Sequence, residues 1–220
     1  MDTLDEGVLT ELGELPCSAI SDAMDKLGIE GQAIGLKPLE PGFRLVGPAF
    51  TCKYEPCGVV KGTVGDYIDD VPAGAVVVLD NAGREDCTVW GDILTAVAHR
   101  KGVAGTVING VCRDTSLARS IGYPVFSKGH FMRTGKERVQ MDAVQVPISL
   151  GEVRVNPGDI LVGDGDGIVV VPQDQAAEVA AAAREIEDAE NQLRAAVEGG
   201  LSLREARTKF KYHALQTKVD

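Results

Sequence analysis

The run Gly102-Val-Ala-Gly-Thr-Val-Ile108, continued by Asn109-Gly-Val-Cys-Arg-Asp114, constrains this chain more than any other stretch. Apolar, glycine-punctuated runs of this length read as strands buried on both faces, the signature of a covered parallel sheet. Asn109-Gly110 predicts a tight turn where the strand ends. Arg113 and Asp114 are therefore expected at a strand exit, where charged side chains line clefts. A guanidinium holds a carboxylate or a developing oxyanion with a planar fork of donors. A carboxylate anchors a hard divalent cation. The pair suits chemistry on small anionic oxo acids, whereas a bare surface ion pair contributes only about 0–1 kcal/mol.

The flanking segments extend the α/β reading. Residues 3–28 predict two short helices, with Ser18 or Ser21 as N-cap of the second and Gly28 as its stop. Residues 47–54 and 75–79 read as strands, 62–70 as a helix, and Asp80-Asn-Ala-Gly83 as a strand-exit loop. Ile93, Leu94, Val97 and Ala98 give residues 91–101 a helical period, so a helix precedes the strand that leads to Arg113. Residues 115–120 predict a further short helix and 123–126 a strand. Short β runs follow at 144–155, 159–162 and 167–171, separated by glycine-rich turns. Apolar positions 176, 179, 183, 186, 193 and 197 predict a long amphipathic helix over 173–198. Gly199-Gly200 ends it, and Ser202 caps a last short helix. With no linker and no internal repeat, the 220 residues are expected to form one layered α/β domain over 1–220.

Composition narrows the function. A formal charge of −11 argues against a nucleic-acid surface, which needs a basic face. The basic group Arg204, Arg207, Lys209 and Lys211 reads as a solvated helix end. The acidic N-terminal residues form no apolar leader, and no 18-residue apolar run is present, so no membrane span is expected and the protein should be cytoplasmic. Cys17, Cys52, Cys57, Cys87 and Cys112 are an odd set without CxxC spacing and read as reduced thiols. Cys112 beside Arg113 is open to a lowered pKa, but no histidine lies close in sequence to serve as its base. His99, His130 and His213 are scattered, which excludes a histidine-rich metal centre. Gly163-Asp-Gly-Asp-Gly167 lacks a calcium-loop ligand series and reads as a hairpin turn. No phosphate-cradling GxxxxGK[ST] and no GxGxxG after a strand occurs.

A second group joins Arg113 and Asp114. Gly91-Asp92-Ile93-Leu94 lies where a helix should start, and free N–H groups there attract carboxylates. Asp92 precedes Asp114 by 22 positions, about one helix plus a returning strand. A βαβ path of that kind puts the helix start and the strand exit on one rim of the sheet.

The chain resembles the RraA-like family, which includes divalent-metal 4-hydroxy-4-methyl-2-oxoglutarate/4-carboxy-4-hydroxy-2-oxoadipate aldolases. The resemblance rests on Trp90-Gly-Asp-Ile-Leu94 with Gly102 through Asp114. Further blocks are Ile20-Ser-Asp-Ala-Met-Asp25, Leu45-Val-Gly-Pro-Ala49, Asp66-Tyr-Ile-Asp-Asp70, Tyr123-Pro-Val-Phe126, Val155-Asn-Pro-Gly-Asp159 and Asp164 through Pro172. It implies a swivelling β/β/α layered fold, assembled as trimers or hexamers with sites between subunits. The long helix 173–198 would lie at that interface. By this resemblance Asp114 holds Mg²⁺ or Mn²⁺, and Arg113 contacts substrate near the scissile bond. The main-chain amides of Asp92, Ile93 and Leu94 bind the pyruvyl carboxylate, with Gly91 beside them, and Asp92 orients water at the metal. An acid on the long helix of a neighbouring subunit, Glu190 ahead of Asp188 and Glu187, completes the site. The usual acid three positions after Asp114 is replaced by Leu117, which bears on substrate range.

The activity implied is retro-aldol cleavage of 4-hydroxy-2-oxo acids to pyruvate and a second oxo compound. Oxaloacetate decarboxylation is expected as a side activity through the same enolate. Lys53 and Lys61 are the lysines to consider for a Schiff base instead. The alternative from another class is a protein-binding inhibitor of ribonuclease E, as some RraA-like members are.

Overall fold

The computed structural model describes residues 6–60 and 62–210. Lys61, Lys211, His213 and the expected helical start at 3–5 lie outside the described residues.

Two helices open the chain, α1 (Glu6–Glu14) and α2 (Cys17–Leu27), the second ended by Gly28 in the left-handed conformation at φ 72°. Its N-cap is Pro16 rather than either serine; a proline with no N–H to satisfy opens the helix, and Ser18 and Ser21 fall inside it. Short strands β1 (Gln32–Ala33) and β2 (Lys37–Pro38) precede the long β3 (Leu45–Pro56). Only Asp66–Asp70 of the expected 62–70 helix is helical, as a single 3₁₀ turn, since the glycines at 62 and 65 weaken the start. Strand β4 (Val76–Thr88) runs on through the expected exit loop at 80–83. It does so by bulging: its register against the next strand shifts between Asp80 and Arg84 and again between Arg84 and Thr88.

Helix α3 (Asp92–Lys101) then returns the chain to β5 (Gly105–Cys112). Asn109-Gly110 makes no turn, because β4 pairs with both residues, Asp80 opposite Asn109 and Arg84 opposite Gly110, while the β6 ladder skips them between Ile108 and Val111. Gly110 serves close approach instead: a Cβ there would lie 3.0 Å from the Arg84 carbonyl oxygen. Helix α4 (Thr115–Ile121) and strands β6 (Val125–His130), β7 (Val139–Val144), β8 (Ile148–Leu150), β9 (Val153–Val155), β10 (Ile160–Asp164) and β11 (Gly167–Val171) follow. β10 and β11 form the expected hairpin across residues 163–167. Helix α5 (Ala176–Glu198) and helix α6 (Leu203–Lys209) complete the described chain, α6 carrying the Ser202–Glu205 capping box.

The main sheet runs β1-β11-β10-β3-β4-β5-β6-β2, with β7 also paired to β3. Its centre, β3-β4-β5-β6, is parallel, and the flanking pairs are antiparallel. Every residue of β5, β10 and β11 is buried, as strands covered on both faces must be. On one face of the parallel strands, Val77, Leu79, Ile108 and Cys112 pack with Trp90, Ala98 and Ala118 beneath α3 and α4. Alternate residues Val76, Val78, Val107 and Phe126 face the other way, onto Leu161, Ile168 and Val170 of the β10–β11 hairpin. That hairpin's remaining face carries Ile160, Val162, Val169 and Val171 against α1, α2 and the first half of α5. The result is a layered mixed α/β domain. Among the described residues no helix is long and apolar enough to cross a membrane.

Candidate functional site

The β4–α3–β5 path sets the site. Three contacts fix where α3 begins. Trp90 stacks on Tyr123 with centroids 6.2 Å apart. Its Nε1 donates to Thr95 Oγ1 at 2.9 Å, and that hydroxyl donates to the Gly91 carbonyl at 2.9 Å. The Arg113 amide donates to the Trp90 carbonyl at 3.0 Å, which ties the exit of β5 to the start of α3. The sheet rim thus brings together segments that are 22 residues apart, as the βαβ spacing predicts.

Asp114 sits in the left-handed region at φ 53° and ψ 42° and precedes α4 without capping it through its side chain. Aspartate tolerates that conformation better than most residues. Its Oδ2 lies 3.2 Å from Arg113 Nε, both side chains being about two-fifths exposed. Gly91 makes room for the pair: a Cβ at that position would stand 2.9 Å from Asp114 Oδ2 and 3.5 Å from Arg113 Cγ and Nε. Gly91→Ala is expected to push the carboxylate aside. Displacements of this size cost roughly tenfold in turnover, while the obstructing atom is the end of a short side chain, so the unfolding midpoint in urea should barely move.

A cavity of about 590 Å³ opens at this rim. It is lined by Gly91, Asp92, Ile93, Leu94 and Arg113 of the predicted set. Asp114 is not itself a lining residue but stands directly behind Gly91. The cavity also takes in Asp66 and Asp69 of the 3₁₀ turn, Thr88 at the end of β4, and Thr134 and Lys136 from the segment before β7. None of these was singled out from the sequence for a site. Spacing gives no signal for them: Thr134 reaches the rim by bridging to Thr88, and the 3₁₀ turn reaches it where Gly65 packs beside Leu94 of α3. The Ile93 amide, one of the donors expected to hold a substrate carboxylate, donates to Asp92 Oδ1 at 2.8 Å. An incoming carboxylate takes this place only if Asp92 swings away. Ile93 itself is 76 % exposed.

Glu190 lies elsewhere in this chain, on the outer half of α5, where it accepts from Arg194 Nη1 at 3.1 Å. Glu187 accepts from Arg194 Nη2 at 2.7 Å. Leu117 is half-buried in the first turn of α4. Burial pushes the Cys112 thiol pKa up, so the proximity of Arg113 does not make it a thiolate. Lys53 pairs with Asp142 at 2.8 Å. That hydrogen bond raises the lysine's pKa, which keeps it charged and unsuited to forming a Schiff base.

Among the described residues no three His, Cys, Asp or Glu side chains converge as a metal cage. A divalent ion here would have one protein carboxylate, Asp114, and would take its other oxygens from water and substrate. Magnesium suits such a shell, because it dehydrates reluctantly. The missing Cβ at Gly91 leaves space against the carboxylate, so the residues present fit that ion.

Residues 17–170 match the RraA-like family, described as Aldolase/RraA, and the chain belongs to that family. It is 41 % identical over 208 residues to protein DlpA of Legionella pneumophila, a match that covers 93 % of this chain and 34 % of DlpA. The chain thus spans about a third of that relative's length. It is 34 % identical over 175 residues to a Halalkalibacterium halodurans protein named "Putative 4-hydroxy-4-methyl-2-oxoglutarate aldolase", covering 76 % of this chain and 77 % of that one. The crystal structure of Streptomyces coelicolor RraAS2, described as an unusual member of the RNase ES inhibitor RraA protein family, superposes with a TM-score of 0.81 at 28 % identity. That likeness covers 88 % of this chain and 98 % of RraAS2.

Proposed function

We propose that this protein is a divalent-metal carbon–carbon lyase that cleaves 4-hydroxy-2-oxo acids to pyruvate and a second oxo compound. The observation that carries this reading is the convergence of the α3 start and Arg113 at one cavity, with the Asp114 carboxylate immediately behind Gly91 of its wall. The Halalkalibacterium relative supports it at the level of the family. Asp114 would hold Mg²⁺ or Mn²⁺, and the ion would supply Lewis-acid stabilisation of the enolate that bond cleavage generates.

The chain's own groups account for the rest. The amides at the start of α3 bind the substrate carboxylate, as a helix N-terminus binds anions. Arg113 offers its remaining N–H donors to oxygen near the breaking C3–C4 bond. Asp92, released from the Ile93 amide, orients water that takes the C4 hydroxyl proton. An acid on α5 of a neighbouring subunit, Glu190 first, completes the water network in a trimer or hexamer. The exposed Ile93 at the cavity mouth and Val197 on the outer half of α5 support such an assembly. Oxaloacetate decarboxylation would pass through the same enolate and is expected as a side activity.

The likeness to RraAS2 favours one second reading, a protein that binds and inhibits a ribonuclease of the E type without cleaving a metabolite. Metal-stripped protein reloaded with Mg²⁺ should release pyruvate from a panel of 4-hydroxy-2-oxo acids and oxaloacetate, detected with lactate dehydrogenase and NADH. Silence across the panel with both Mg²⁺ and Mn²⁺, together with capture of ribonuclease E in a pull-down, would overturn the lyase reading for the binding one.

A further inference from the structure

We infer that Thr95 is a positioning residue for substrate: its hydroxyl, oriented by the Trp90 indole, holds the Gly91–Asp92 peptide so that the Asp92 amide faces the cavity. The inference rests on the lyase reading above and concerns what keeps that site in shape.

Glycine at position 91 creates the need. A Cβ there would stand 2.9 Å from Asp114 Oδ2, so a larger residue would displace the carboxylate. Glycine also has the widest choice of backbone conformation, and the peptides on either side of it turn freely unless something outside holds them. Both are held. The Trp90 carbonyl accepts from the Arg113 amide at 3.0 Å. The Gly91 carbonyl accepts twice, from the Thr95 amide at 3.0 Å and from Thr95 Oγ1 at 2.9 Å. A peptide unit is planar, so fixing the Gly91 carbonyl fixes the direction of the Asp92 N–H across from it.

Three amides are expected to hold a substrate carboxylate. That of Ile93 donates to Asp92 Oδ1, while those of Asp92 and Leu94 have no partner among the described residues. The Asp92 amide is thus an open donor directly after the glycine, and Thr95 sets its aim. Thr95 and Trp90 are both buried, each at 2 % exposure, so water does not compete for their bonds. A hydroxyl has one proton to give. With the Trp90 Nε1–H entering Thr95 Oγ1 at 2.9 Å, that proton is directed to the Gly91 carbonyl. The indole by itself needs only an acceptor. Here the acceptor is also a donor, and it passes the bond on to a peptide of the cavity wall. The relay starts from a fixed ring, since Trp90 stacks on Tyr123.

The test separates the metal from the carboxylate. Mn²⁺ is titrated into the protein and followed by water-proton relaxation, and oxalate is then titrated into the Mn²⁺-loaded protein. Thr95→Val keeps the shape of the side chain and deletes the hydroxyl. Its oxalate affinity is expected to fall about 10-fold, the worth of a hydrogen bond to a charged group. Its affinity for Mn²⁺ alone should stay within about twofold of native, because Asp114 holds the ion. Thr95→Ser, which keeps the hydroxyl, should bind oxalate within about threefold of native. A purely structural role for Thr95 would lower the unfolding midpoint of Thr95→Val in urea and leave the ratio of the two affinities unmoved. Native-like oxalate affinity in Thr95→Val, parallel loss of Mn²⁺ and oxalate, or a serine variant as weak as valine each overturns the assignment while leaving the lyase reading intact. If Thr95→Val does not fold, Trp90→Phe decides: it removes the indole N–H that orients the hydroxyl and should weaken oxalate about threefold, and unchanged affinity overturns the assignment. If the native Mn²⁺-loaded protein binds no oxalate, the lyase reading fails first and the role of Thr95 falls with it.

Discussion

Replacing Asp114 with asparagine is expected to lower Mg²⁺-dependent pyruvate release by on the order of 100- to 1,000-fold, with the fold retained. Asparagine is the informative choice because position 114 has φ 53°. It tolerates the left-handed region about as well as aspartate, whereas alanine would add roughly 1–2 kcal/mol of backbone strain. The side chain caps no helix, and its ion pair with Arg113 is two-fifths exposed and contributes only about 0–1 kcal/mol. Stability should therefore change by less than about 1 kcal/mol in urea unfolding. The amide keeps the shape of the carboxylate but not its charge, which is what a hard cation requires. Loss of turnover without loss of stability separates the chemical role from a structural one. Turnover within threefold of native would remove Asp114 from the mechanism.

Replacing Arg113 is expected to have the second-largest effect. Its main chain is set by the Trp90 carbonyl, so a substitution changes the side chain's contribution and not the course of the strand exit. Arg113→Ala should reduce kcat/KM by on the order of 100-fold or more, through loss of a donor that strengthens as negative charge develops. Arg113→Lys should recover only part of this, since an ammonium lacks the planar fork that could pair with Asp114 and with substrate at once. If lysine served as well as arginine, the guanidinium would be acting as a simple charge, and the geometric part of the argument would fail.

Local signals in the sequence located most of the fold. The glycine stop at 28, the cap at Ser202 and the periodicity of α5 and α3 all depend on contacts within one or two turns. They survive whatever the rest of the chain does. The misread segments are those decided by distant partners. Asn109-Gly110 carries a strong turn signal, yet β4 holds it in the ladder, and its glycine admits the Arg84 carbonyl instead. Residues 80–83 read as a loop because they are polar and small, but they form the bulged continuation of β4. The candidate site divides the same way. Its α3 start, Arg113 and Asp114 follow from one βαβ unit and its spacing. Asp66, Asp69, Thr134 and Lys136 arrive from segments that no local pattern ties to that unit, and Gly91's role as a gap behind the cavity is visible only once Asp114 is placed.

Binding of Mn²⁺ to native protein and to Asp114→Asn, followed by the relaxation of water protons, tests the central claim most directly because it does not depend on knowing the substrate. Oxalate, a planar mimic of a pyruvate enolate, is added in a second titration. The account predicts about one ion per chain for the native protein, tighter in oxalate, and an affinity at least tenfold weaker in the variant. Equal affinity of the two proteins for Mn²⁺, with and without oxalate, would contradict it.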